Sequence, residues 1–462
     1  MGSRMKHVRF TIMIIMFTLL LPLCSGYQAD AASKRDYLKI GLKFGSNCVS
    51  TGILKSDQGF LLGTIDGRRF EEGMPLPAYN EIVITNENGN IVVKDKDGIL
   101  LSADMGSSGC IMPADYDDDG VIYYDGTPYR GGVQFLGKSN GTMTVINVIR
   151  LEHYVYGILN SELGYTNPKE ALKAQAVVAR SYAEQNLGKH SADGFDLCTS
   201  THCQVYKGYS GEFDATNKAT DETEGEFLLY DGEPVSAFYY KNSGGYTQNS
   251  EDVWSGKLPY LRAVKDEYSP SYPWSTSLSF EIIKTKLESA GFSPGTIQSV
   301  SINAYNNTGA VSELKIVGSG STVYLKKENI RNVLGATIIK SNMFTLGKGS
   351  SSGVGNGTWN ISNGLRVTES DADAKLYVIS DSGKASKIDA EGVFGSNGQV
   401  TILLGTRSSE PIQTVTNGTV EFNGYGYGHG VGMPQDSAVE MAKQGFDYKE
   451  ILEYFFTDIE VE

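Results

Sequence analysis

The sequence predicts an α+β protein, and three observations carry that reading. Short runs of alternating apolar and polar residues recur between 37 and 148, a helical stretch dominates from Leu151 to Leu187, and mixed strand and helix patterns return over 227–340. In the first stretch, runs such as Leu38–Phe44 and Glu81–Thr85 are separated by turn pairs such as Asp66-Gly, Asn88-Gly and Asp97-Gly, which favour left-handed backbone. Residues 37–148 therefore read as a β-rich N-terminal part, 149–346 as a mixed core, 347–357 as a Gly/Ser linker, 358–422 as a β-patterned insertion and 423–462 as a Gly-rich loop with helices completing the core. The acidic run Asp115-Tyr-Asp-Asp-Asp-Gly120 lacks the downstream glutamate of a calcium loop and reads as a solvated turn.

Composition narrows the function classes. A chain of 462 residues with 40% hydrophobic and 20% charged residues is an ordinary globular protein of two to four domains, not a disordered, collagenous or multi-span one. The net charge of −14 disfavours nucleic acid and anionic bilayers as partners, because both require a surplus of Lys and Arg. Five cysteines are too few for a disulfide scaffold in a chain of this size. At the start, Arg4, Lys6 and Arg9 precede an apolar run from Phe10 to Cys24, followed by Ala29-Asp-Ala31. This predicts that residues 1–31 are a secretory signal, with an uncleaved membrane anchor as the alternative, and hence an exported protein.

Four segments carry chemistry. Arg150–Glu162 reads as a helix whose stripe of Leu151, Val155 and Ile158 continues to Glu162, about 20° around the helix from Leu151. A carboxyl on the face meant for burial has a raised pKa, as a general acid needs; a solvated glutamate at a helix end is the bland alternative. The next helix is signalled by Asn167 as N-cap, Pro168 at its first position, Glu170, and Gly188 beyond its end. Lys173 and Arg180, seven residues apart, share one of its faces, either as two cations beside Glu162 or as solvated charges. His190, Cys198, His202 and Cys203 fall within 14 residues and offer two imidazoles and two thiols, a set suited to structural zinc, with a Cys198–Cys203 disulfide or free thiols as alternatives. Finally, Phe238–Thr247, with Tyr239, Tyr240, Gly244 and Gly245, and Gly424–Gly432, with Tyr427 and His429, combine aromatic rings with close-approach glycines, as a sugar-binding groove does, with an ordinary core strand–turn–strand as the alternative for the first.

Together these segments resemble the stage II sporulation protein D family (SpoIID/LytB domain) of peptidoglycan lytic transglycosylases. The matching stretches are Leu151–Glu162, Glu170–Tyr182, Cys203-Gln-Val-Tyr206, Gly244–Trp254 with Pro259-Tyr-Leu261, and Gly426–Gln435. The resemblance covers about 130–345 and 420–456, and leaves 347–420 as an addition. It implies that Glu162 is the catalytic acid, that Lys173 and Arg180 are the helix cations, that Gln204 and Tyr206 join the tyrosines of the groove, and that the partners are peptidoglycan glycan strands and other wall enzymes such as an amidase. A lytic transglycosylase needs one carboxylate. The rival readings are a muramidase that recruits Asp266 or Glu251 as a second carboxylate, a wall-binding or autolysin-modifying protein without turnover, and a Cys203–His202 peptidase, disfavoured because neighbouring side chains on an extended chain diverge.

Overall fold

Alternation sets the N-terminal architecture. In Thr51–Lys55 and in Glu81–Thr85 every second residue is buried, namely Gly52, Leu54, Ile82 and Ile84, while the residues between them are half-buried or exposed. The computed structural model describes residues 37–118, 120–348, 376–379, 385–388, 413–416 and 418–462. The 1–31 segment, most of the 347–357 linker and most of the 358–422 insertion lie outside the described residues.

Two sheets enclose the first core. A six-stranded sheet centres on Thr51–Lys55 and Glu81–Glu87, and a seven-stranded sheet places Met143–Arg150 between Tyr37–Lys43 and Gly132–Gly137. Leu54, Phe60, Ile82, Ile84, Val93, Val133, Phe135 and Val145 fill the space between them. The fold class is α+β, with the β-rich part at the N-terminal end of the described chain. The Asp115–Gly120 turn is tied to the sheet, because Asp117 pairs with Arg150 at 2.9 Å; Asp119 lies outside the described residues.

Met143–Arg150 is buried on both faces up to Ile149. Val145 joins the sandwich core, while Ile146 and Ile149 pack with Leu151, Tyr154 and Ile158 of helix α1 (Leu151–Glu162) and with Ala179 of helix α2 (Lys169–Gln185). The strand therefore runs straight into α1 and aims its far end away from the sandwich. Helix α2 is buried through most of Ala171–Ala183, where small alanines let neighbours approach closely, while its charged ends at Lys169 and Glu184 remain in contact with solvent. Its Ala174, Val177 and Val178 meet Val235, Ala237, Val431, Met433 and the C-terminal helices Gln435–Lys443 and Tyr448–Phe455.

A third core belongs to residues 273–348 together with 413–425. Thr419–Tyr425 lies between Pro273–Ser279 and Phe344–Lys348, and a four-stranded sheet with helices Phe280–Ser289 and Asn329–Leu334 completes it around Trp274, Ile283, Leu314 and Phe422.

Candidate functional site

Glu162 is the last residue of α1, and the Leu163 N–H closes the helix onto the Leu159 carbonyl. Its Oε1 accepts the backbone N–H of Val205 at 2.9 Å, and the Tyr239 hydroxyl donates to the same carboxylate. Burial pushes its pKa up, against the two hydrogen bonds, which favour the charged form. The carboxylate lines a cleft of about 400 Å³ together with Tyr182, Lys189, His202, Phe238, Tyr240, Trp254, His429 and Gln435. Among the described residues that line this cleft, Glu162 is the sole carboxylate.

Behind Glu162 runs a chain of polar groups. The Tyr154 hydroxyl donates to Gln204 Oε1 at 3.1 Å, and Gln204 Nε2 donates to the Tyr239 hydroxyl oxygen at 3.4 Å and to the Ala179 carbonyl at 3.3 Å. Gln204 is buried, so it supports the cleft from beneath rather than lining it. His429 caps the aromatic side, with its ring 5.2 Å from those of Tyr240 and Trp254. Its Nδ1 accepts the Val431 N–H at 3.1 Å, so Nε2 carries the proton and donates to the Tyr239 carbonyl at 3.2 Å. Burial lowers its pKa to about 3, leaving a neutral imidazole that orients the tyrosine strand.

Lys173 and Arg180 share a face of α2, but that face turns away from Glu162. Arg180 is fully buried and forms a fork with Glu152 at 2.8 and 2.7 Å, its remaining donors meeting the carbonyls of Glu226 and Thr220. Lys173 lies 3.7 Å from Glu170, 3.8 Å from Glu222 and 4.2 Å above the Tyr448 ring. The helix also starts one residue late: Pro168 is its N-cap, and Asn167 instead donates its amide to the Leu163 carbonyl at 2.5 Å. The cation that does line the cleft is Lys189, whose Nζ donates to the Tyr182 hydroxyl at 3.1 Å and the His202 carbonyl at 3.0 Å.

The four metal-type side chains converge. The ligand atoms of His190, Cys198, His202 and Cys203 all lie within 4.8 Å of one another. Cys203 Sγ is 3.5 Å from His190 Nε2 and 3.6 Å from His202 Nδ1, and Cys198 Sγ is 3.8 Å from His202 Nδ1. A tetrahedral zinc with ordinary Zn–S and Zn–N bonds needs such pairs about 3.5 Å apart, so the donor set fits the ion. Both cysteines are free thiols. Adjacent His202 and Cys203 do not diverge, because the chain turns there, with the Cys203 N–H bonded to the Ser200 carbonyl at 3.0 Å.

Other expected residues lie off the cleft. Tyr206 is buried and donates its hydroxyl to Asn147 Oδ1 at 2.7 Å. Tyr427 turns toward Tyr272 and Lys340. Gly244 and Gly245 form a turn beside Tyr425, with φ of 68° and 110°. Asp266 is buried and accepts hydroxyls from Ser243 at 2.5 Å and Ser437 at 2.6 Å, and a hydrogen-bonded Arg262 holds Glu251 down to about 2. Neither of these two carboxylates lines the cleft. Conversely, Lys189, Tyr182, Trp254 and Gln435 were missed as site residues, although Trp254 and Gln435 close two of the quoted motifs and Lys189 adjoins His190.

Residues 139–230, which contain α1, α2 and the His/Cys cluster, match the SpoIID family, described as Stage II sporulation protein. The chain is 29% identical over 355 residues to the amidase enhancer of Bacillus subtilis, spanning 76% of this chain and 46% of that protein, or about half its length. It is 26% identical over 398 residues to an uncharacterized protein of Brachyspira hyodysenteriae, spanning 84% and 87% of the two chains. With stage II sporulation protein D of Bacillus subtilis it shares 25% identity over 331 residues, 68% of this chain and 74% of that one.

Proposed function

We propose that the protein is a peptidoglycan lytic transglycosylase acting in sporulation-type wall remodelling, with Glu162 as both acid and base. The supporting observation is a single desolvated carboxyl in a cleft of aromatic and amide side chains, with no second carboxylate among the described residues lining it. Protonated Glu162 gives its proton to the glycosidic oxygen that leaves C1 of N-acetylmuramic acid, and the C1–O bond breaks. The sugar's own C6 hydroxyl then attacks C1 and returns its proton to the Glu162 carboxylate, closing a 1,6-anhydro ring without water. A hydrolase would need a second carboxylate to supply a nucleophile or activate water.

His190, Cys198, His202 and Cys203 would hold a structural zinc, whose role is to fix the turn that carries Gln204 and Val205. The substrate lies outside the cytoplasm, which accords with the basic and apolar start of the chain. An amidase is the partner suggested by the relative named amidase enhancer. Mass analysis of purified glycan digested with the protein tests the reading. Anhydro ends support it, whereas water-added reducing ends indicate a muramidase and unchanged glycan a binding protein.

A further inference from the structure

Two aromatic side chains beyond the end of α1 face solvent, and the chemistry at Glu162 makes no use of them. Tyr165 is 46% exposed and Phe213 39% exposed, and their rings stack with centroids 4.4 Å apart and planes 3° from parallel. Single exposed aromatics are common on soluble proteins; two rings held parallel in water form a built apolar surface. A third ring, Tyr209, is 42% exposed four residues before Phe213, with the Arg130 guanidinium 5.1 Å from its centroid.

Both rings are held in place by backbone contacts. The Tyr165 N–H donates to Asn160 Oδ1 at 3.0 Å, and the Phe213 carbonyl accepts the Thr216 hydroxyl at 2.8 Å and the Asn217 N–H at 2.9 Å. Both are also connected to the cleft. Tyr165 follows Glu162 by three residues, so their Cα atoms are at most about 11 Å apart. Phe213 ends a short segment that begins at Val205, whose N–H holds the Glu162 carboxylate.

We propose that the Tyr165–Phe213 pair is a stacking subsite for a saccharide ring of the strand whose bond lies at Glu162, a proposal that rests on the glycan-cleaving reading of the cleft. A pyranose ring presents a flat face of C–H groups that matches an aromatic surface, while its hydroxyls stay in water. A protein partner would require a contact of roughly 800 Å² on each side, so the pair fits a sugar better. The subsite holds strands that extend beyond the cleft and is indifferent to fragments that fill the cleft alone.

The test measures binding of purified glycan strands and of short fragments to the full chain carrying Glu162→Gln, which leaves the ligand uncleaved. Tyr165→Ala and Phe213→Ala are added singly and together. The expected result is a Kd for long strands raised about 2- to 10-fold in the double variant, with the Kd for short fragments and the melting temperature unchanged. Equal affinity for long strands overturns the subsite, and so does an equal loss for both ligand lengths, which would mean that the rings act through the end of α1. If the Glu162→Gln parent binds no glycan, the reading of the cleft itself fails, a result distinct from the other two.

Discussion

Glu162 combines two opposed influences, burial that disfavours its charge and two hydrogen bonds that favour it. Glu162→Gln keeps the shape and removes the proton. Turnover should fall on the order of 10²–10⁴-fold with glycan binding intact, as read by release of soluble fragments and by sedimentation with the wall. Because its pKa is raised, the acid form persists to higher pH than for an ordinary glutamate, and activity should decline as pH climbs through that value. Tyr239→Phe removes a donor that favours the carboxylate, so the alkaline limb of the kcat/KM profile should move to higher pH. A limb that stays in place or moves to lower pH would show that the hydroxyl does not act on Glu162.

Among the elements, α2 and the turn through residues 198–206 divide the work between stability and positioning. Arg180 sits wholly inside the protein, and Arg180→Ala strands the Glu152 carboxylate and the carbonyls of Glu226 and Thr220. A loss of about 3–5 kcal/mol in urea unfolding is expected. The folded fraction should retain near-normal turnover per molecule, the reverse of what two cations in a cleft would require. The turn behaves differently because it carries both functions: Cys198, His202 and Cys203 converge with His190, while Gln204 and Val205 hold Tyr239 and Glu162. Purified protein should contain about one zinc per chain. Cys203→Ser should lower metal content, melting temperature and activity together, since losing a ligand releases the turn. Full activity in metal-free protein would separate the cluster from the cleft.

At the scale of the whole molecule, the cleft is assembled from segments far apart in the chain. Gln435 Nε2 donates to the Glu162 carbonyl at 3.0 Å across 273 residues, and Tyr239–Tyr240 pairs in parallel with Met433–Pro434. Gly432 makes that pairing possible. Its φ is +79°, and a Cβ there would lie 2.0 Å from the Phe238 carbonyl oxygen. Gly432→Ala should therefore cost about 2 kcal/mol or more in thermal unfolding and reduce turnover, because Tyr239 moves with its strand. An unchanged melting temperature would mean that the two segments are not held this closely.

Local pattern alone determined the α+β class, the strand alternation around Ile82 and Ile84, the helices α1 and α2, and the position of Glu162 on the helix face of Leu151, while leaving open whether its carboxylate meets solvent or a cleft. These follow from periodicity, which each segment carries within itself. The convergence of His190, Cys198, His202 and Cys203 was also legible, because ligands close in sequence need only a turn to meet. Tertiary structure decided the rest. Lys173 and Arg180 do share a helix face, but what lies opposite that face depends on residues 220–226 packing there, which no helical period reports. Lys189 became the cleft's cation, Tyr206 went into the core and Tyr427 turned toward Lys340 for the same reason. A motif specifies which side chains sit near one another along the chain; which way each one points is set by partners tens to hundreds of residues away.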